Sequence, residues 1–216
     1  MDDTYDPRAA RLPKPARRRQ LLAAAQEVFV ANGYHAAAMD DIAERAGVSK
    51  PVLYQHFPSK LDLYLAILDT HADALIDAIR TGLSVTDDNK LRVHNVLTGY
   101  FDFIDGEDRG DAGVFRLIFE SDLSNEPAVR ARTDKINASI TAAVADTVAG
   151  DTGLSRKEAE LLAQALTGAA QVVARWWIGS GRPVSKSEAV ALMETLLWRG
   201  ISHFPLNAPA PAVGRI

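Results

Sequence analysis

The residues of this chain best suited to chemistry lie between positions 50 and 56. Lys50 can donate to a guanine edge, Pro51 and Val52 offer apolar surface to a thymine methyl, and Tyr54, Gln55 and His56 add polar and aromatic groups. Such a set reads a partner only if the backbone presents it on one side. The stretch from Met39 to Phe57, MDDIAERAGVSKPVLYQHF, is written to do that. Ile42, Ala43 and Ala46 put an apolar stripe on a short helix. Gly47 suits the left-handed conformation that ends a helix and turns the chain. Ser49 stands where it would cap the next helix, and Pro51 falls in that helix's first turn, where a missing N–H costs nothing. Leu53 and Phe57, four apart, face inward. Two helices joined by a tight glycine turn, the second exposing polar and aromatic groups, make a helix-turn-helix, the reader of a major groove. The plain alternative is an ordinary pair of packed helices, with Tyr54 and His56 as core residues whose polar ends are satisfied.

Charge supports the first reading once it is divided along the chain. The 216 residues carry a net charge of −4. Residues 7–60, however, hold nine Lys or Arg against four Asp or Glu, a local balance of +5. A basic amino-terminal unit on an acidic remainder is the asymmetry expected when one part approaches phosphates. Arg8, Arg11, Lys14, Arg17, Arg18 and Arg19, interleaved with Pro7, Pro13 and Pro15, form a basic approach to the first helix. Residues 1–14 are expected to be a flexible arm able to enter a minor groove, with Arg17 and Arg18 placed for phosphate. The absence of cysteine excludes a disulfide framework and a thiolate metal site. No apolar run approaches the roughly 20 residues that cross a bilayer, and the start is polar throughout, so a cytoplasmic protein with no membrane contact is expected.

The rest of the sequence reads as helices, with no convincing strand. Apolar periodicity and caps predict helices over 17–32, 39–46, 50–56, 59–83, 90–105, 112–121, 127–149, 155–178 and 184–203. Gly33 stops the first, Ser59 caps the fourth, and Ser155 with Glu158 makes a capping box. The expectation is an all-α, nine-helix chain: a DNA-binding unit over 15–60, a second unit over 61–204, and a disordered tail over 205–216.

Gly33-Tyr34, Asp41-Ile42-Ala43, Ala46-Gly47-Val48-Ser49-Lys50, Leu53-Tyr54, His56-Phe57 and Ser59-Lys60 together resemble the TetR family of bacterial transcriptional regulators. The resemblance implies three amino-terminal helices for DNA and about six for a ligand. It places Lys50, Pro51 and Val52 where the family touches base edges, and Tyr54, His56 and Lys60 at its phosphate contacts. Met39, at the head of the first short helix, and Gln55 complete the candidate DNA contacts. Two departures stand out: Ala36-Ala37-Ala38-Met39 lacks the usual Ser or Thr, and Val52 replaces a small polar residue. The resemblance also implies a homodimer on a palindromic duplex operator, controlled by a small molecule held where the later helices meet.

Residues 96–104 are apolar nearly all round, which marks a helix buried between neighbours. Leu75, Ile79, Leu83, Val96, Tyr100, Phe103, Phe115, Phe119, Val172 and Trp176 are the candidate ligand wall. For any one of them plain core is the alternative. A long apolar lining favours a fatty or aromatic effector over a sugar or metal. Arg11-Leu12-Pro13, Gly33-Tyr34-His35-Ala36, residues 48–57 and 115–120 and Gly200-Ile201-Ser202-His203 are similar to the actinobacterial subgroup that controls fatty-acid synthase genes. That likeness implies a long-chain acyl-coenzyme A effector, with Arg80, Arg109, Arg116, Arg130 and Arg132 as candidates for its phosphates. The alternative is a repressor of an efflux or catabolic gene answering an aromatic or lipophilic compound. Ala163, Leu166, Ala170, Val173, Leu192, Leu196, Leu197 and Ile201 are the expected dimer face. No metal or nucleotide-binding motif occurs and the five histidines are scattered, so neither catalysis nor a cofactor is expected.

Overall fold

The computed structural model describes residues 12–106, 123 and 125–201, and all regular structure among them is helical. Three helices form a head: α1 (Lys14–Ala36) and the short α2 (Met39–Arg45) and α3 (Lys50–His56). The body holds α4 (Lys60–Ser84), α5 (Asn89–Asp105), α6 (Pro127–Asp151), α7 (Arg156–Gly179) and α8 (Lys186–Ile201). The helix expected over 112–121, with Phe115 and Phe119, lies outside the described residues, as do Arg8 and Arg11 of the arm and the tail.

The head packs around one apolar seam. Leu21, Ala25 and Phe29 of α1 are buried in the same core as Ile42, Ala43, Ala46, Leu53 and Phe57. α1 begins three residues earlier than expected, because Pro15 suits a first turn and needs no donor there. Gly33 interrupts it at φ 74°, ψ 165°, a conformation that only glycine adopts cheaply, and one further turn carries the chain to Ala36. Gly47 takes φ 62° as the turn between α2 and α3 requires. Gln20 locks that turn to α1 by donating from Nε2 to the Ala46 carbonyl at 2.8 Å. Ser49 does stand at the N-cap of α3, but its hydroxyl makes no capping bond; its carbonyl accepts from Val52 and Leu53 instead.

α4 joins head to body. Ser59 caps it by accepting from the Asp62 N–H at 3.1 Å. Its first turns bury Leu63, Tyr64 and Ile67, and Tyr64 meets the rings of Phe29 and Tyr34 edge-on at 5.4 and 5.2 Å. Its later turns pack on α5 and α6. At Gly82 the two backbones nearly touch: a Cβ there would lie 3.0 Å from the Val96 nitrogen. α5 is covered by α4, α7 and α8, which is why Leu97, Tyr100, Phe101, Phe103 and Ile104 are all buried although they point in several directions. α6 and α7 run together as a pair, and the Ser155–Glu158 capping box forms as its spacing requires.

One buried charge ties the far end together. Asp105, at the last turn of α5, accepts from Arg182 at 2.8 Å and lies 3.5 Å from Lys186, which also pairs with Asp102 at 2.9 Å. Arg182 reaches it from a left-handed turn (φ 57°) while lying over the Trp177 ring. Trp177, fully buried, donates from its indole N–H to the Val184 carbonyl at 2.8 Å. Nothing in the spacing of these residues announces the cluster.

Candidate DNA interface and ligand cavity

The exposed side of α3 carries the residues picked out for DNA. Lys50, Pro51, Tyr54 and Gln55 are exposed, and Val52 and His56 are half-buried, on a helix whose other side holds the fully buried Leu53. Lys50 is paired with Asp40 of α2, Nζ to carboxylate oxygen at 2.8 Å. Hydrogen bonding to that carboxylate, with its charge, raises the ammonium above the ordinary lysine range, so the donor stays protonated. Arg18 lies over the Phe57 ring, 4.4 Å from its centre, and Arg17 donates to Gln20 at 2.8 Å. Arg18 therefore leaves α1 beside the foot of α3.

Two expected DNA contacts are placed otherwise. Met39 is buried at 8% exposure, because it shares the i, i+3, i+4, i+7 face with Ile42, Ala43 and Ala46 and so fills the head core. Lys60 is half-buried. Its ammonium donates to the carbonyls of Tyr34, His35 and Ala37 at 2.8, 3.3 and 2.9 Å and lies 4.5 Å from the Tyr34 ring centre. Those carbonyls follow the Gly33 break, so Lys60 serves as the missing cap of the last α1 turn. At the head of α2, Ala38 has no hydroxyl to offer. Only the return half of a capping box survives, the Ala38 N–H donating to Asp41 at 3.4 Å.

The body contains a cavity of about 270 Å³, near the lower end of the roughly 300–1,000 Å³ range of small-molecule sites. Ile79 and Leu83 of α4 form one wall, and Val93, Val96, Leu97 and Tyr100 of α5 another. α6 supplies Ile140, Val144 and Val148, α7 Leu166, Ala170 and Gln171, and α8 Leu197 and Trp198. Asn89, Arg92, Thr147, Asp151, Thr152 and Thr167 add the polar lining. The hydroxyls of Thr147, Thr152 and Thr167 donate back to carbonyls of their own helices, which leaves little polarity to offer a ligand. The Arg92 guanidinium is held by the Thr86 carbonyl at 2.7 Å, Asn89 at 2.8 Å, Asp87 at 3.2 Å and Asp151.

Of the candidate wall, Ile79, Leu83, Val96 and Tyr100 line this cavity. Leu75 and Phe103 are buried but do not reach it, Phe103 lying edge-on to His71 at 6.4 Å. Val172 and Trp176 face outward, 67% and 60% exposed. They share that outer side with Leu161, while Leu192 and Leu196 stand exposed on α8. Conversely Leu166 and Ala170, expected at a dimer face, line the cavity, and Ala163 is fully buried. The sides of α7 are thus exchanged relative to expectation, because that helix is apolar on both. Among the described candidate phosphate ligands, Arg132 pairs with Asp69 at 3.0 Å, Arg80 and Arg130 are exposed, and none of the three lines the cavity. Arg109 and Arg116 lie outside the described residues. The α6 wall lies outside the expected set, although Ile136, Ile140, Val144 and Val148 recur every four residues.

No helix among the described residues is long and apolar enough to cross a membrane. Residues 21–67 match the family described as bacterial regulatory proteins, tetR family. The chain is 47% identical over 200 residues to the HTH-type transcriptional activator FasR of Mycolicibacterium smegmatis, covering 93% of this chain and 90% of that protein. A TetR-like transcriptional regulator from Rhodococcus superposes with TM-score 0.65 at 27% identity, over 89% of this chain and 100% of the other. FadR from Bacillus subtilis, solved with stearoyl-CoA, shares the fold with TM-score 0.69 at 18% identity, over 83% of this chain and 96% of the other. With a helix-turn-helix head, an all-helical body and a relative this similar along almost its whole length, the chain belongs to the TetR family of transcriptional regulators.

Proposed function

We propose that the protein binds a palindromic operator as a homodimer, and that a long-chain acyl-coenzyme A in the apolar cavity lowers its affinity for that operator. The observation that carries the reading is the reach of α4. The same helix buries Tyr64 in the head and presents Ile79 and Leu83 to the cavity, about 22–28 Å further on at 1.5 Å per residue. A ligand that favours one setting of α4 therefore favours one setting of the head. DNA affinity changes by the difference in the ligand's binding energy between the two settings. The stearoyl-CoA complex of B. subtilis FadR supports the acyl-coenzyme A, and 26% identity over 88 residues to the fatty acid metabolism regulator protein of B. subtilis supports a role in fatty-acid metabolism. The exposed apolar residues of α7 and α8 support the dimer.

The test is a titration of a labelled operator duplex with stearoyl-CoA present or absent. A 5- to 150-fold change in Kd, about the usual range of coupling, is expected. No change at saturating ligand removes acyl-coenzyme A as the effector. The modest cavity favours a second reading, in which a compact aromatic or other lipophile is the effector of an efflux or catabolic regulator. A small-aromatic arm in the same titration separates the two.

A further inference from the structure

The ion pair between α2 and α3 has a geometry that a base pair can match. Lys50 Nζ donates to both oxygens of the Asp40 carboxylate, at 2.8 and 3.1 Å, and both side chains are more than half exposed. Residues 7–60 hold only four acidic residues. Glu27 pairs with Arg45, and Asp41 accepts from the Ala38 N–H. Among the described residues, Asp40 is the one of the four whose carboxylate is held by a side chain of α3. An exposed pair of this kind contributes little to folding, so stability does not account for a negative charge beside the residues assigned to DNA.

We infer that Lys50 and Asp40 together read one G·C base pair in the major groove, Lys50 donating to the guanine and Asp40 accepting from the cytosine amino group. The inference rests on the reading that α3 enters that groove, and adds Asp40 to it as a specificity-determining residue. Within a G·C pair the guanine O6 and the cytosine N4 are themselves hydrogen-bonded, about 2.9 Å apart. An ammonium and a carboxylate separated by 2.8 Å lie across those two atoms in register, donor against acceptor and acceptor against donor. The ion pair leaves both groups able to bind: one N–H of the ammonium remains, and a carboxylate has about four acceptor positions. Turning the base pair round sets the ammonium against the amino group and the carboxylate against O6, so orientation is read as well. A T·A pair offers the same order of acceptor and donor. There, however, the thymine methyl stands where guanine presents N7, and Lys50 loses its second acceptor. A phosphate is the poorer partner, because Asp40 cancels the charge of Lys50 and is itself repelled.

Full-length wild type, Asp40→Ala and Lys50→Met are titrated against a labelled duplex that the wild-type protein has selected from a random pool. Each cytosine of one half-site is replaced in turn by N4-methylcytosine, whose methyl takes the place of the groove-facing N–H while pairing is kept. Each guanine is replaced by 7-deazaguanine, which lacks N7. One base pair of the half-site should respond to both. There N4-methylation is expected to weaken wild type about tenfold, the scale of one lost base contact, and to leave Asp40→Ala unchanged. The 7-deaza base should weaken wild type and not Lys50→Met. Cytosine and guanine effects that do not fall on the same pair, or an N4-methyl effect that persists in Asp40→Ala, overturn the inference and leave sequence-specific binding standing. So does an Asp40→Ala variant that gains affinity for every duplex alike with its base preferences unchanged, since the carboxylate then acts through charge alone. If wild type selects no duplex, the DNA reading falls and this inference with it.

Discussion

Lys60 spends its ammonium on the protein's own backbone. It stands at the start of α4, where the resemblance puts a phosphate contact, yet its three N–H groups go to carbonyls of Tyr34, His35 and Ala37. An ammonium so occupied stabilises the end of α1 and holds the head onto α4. Lys60→Met should keep the stem and lose the bonds, costing about 2 kcal/mol and lowering Tm by about 4–8 °C. The salt dependence of operator binding should not change. A phosphate contact would instead reduce the slope of log Kd against log salt by about 1, and that result would return Lys60 to the interface. The sequence held the ingredients, but the carbonyls lie 23 to 26 residues upstream and are exposed only because Gly33 takes a conformation that no pattern announces. Lys50 has a similar history. Its position on α3 was readable from the turn signals, whereas its tie to Asp40 depends on how α2 and α3 cross. Met39 was the opposite case, since its burial follows from the same heptad face that buries Ile42 and Ala46.

At the scale of elements, helix starts were the most legible feature, because capping is local chemistry. Ser59 and the Ser155–Glu158 pair act as their spacing implies. Which side of a helix faces inward was legible only where one side is polar. α7 carries Leu166 and Ala170 on one side and Leu161, Val172 and Trp176 on the other, so periodicity found both stripes without ranking them. The α4–α5 crossing was invisible for a different reason: glycine in a helix looks like a defect until a neighbour's backbone is seen against it. Gly82→Ala tests that crossing by its sign. In an open helix the change raises stability by about 0.8–1 kcal/mol. Here the new methyl meets the Val96 nitrogen at 3.0 Å and the Asn95 carbonyl carbon at 3.1 Å, backbone atoms that cannot rotate away. Overpacking of about 1–3 kcal/mol should exceed the propensity gain and lower Tm. It should also alter ligand response, since Leu83 and Val96 flank the strained contact and line the cavity. A higher Tm would show that the helices have room to separate.

The whole molecule presents a basic head on an acidic body and, at its far side, apolar surface facing water. Leu161, Val172, Trp176, Leu192 and Leu196 are each at least 60% exposed, on two helices that follow one another in the chain. Isolated exposed apolar residues need no explanation, but five large ones on two consecutive helices are more than scattered exposure. In the proposed dimer a second copy covers them, and the two α3 helices reach half-sites about 34–36 Å apart. Trp176→Glu combined with Leu196→Glu tests this without touching the core, because both side chains already lie in solvent in a single chain. The variant should keep its helical signal, sediment as a monomer, and bind a single half-site as wild type does. It should lose most of its affinity for the full operator, because two linked heads no longer bind as one unit. The cavity lies on the other side of α7, so the variant should still take up ligand. A double variant that stays dimeric would put the interface elsewhere; one that turns monomeric yet grips the full operator undiminished would show that pairing is not how the protein reads its site.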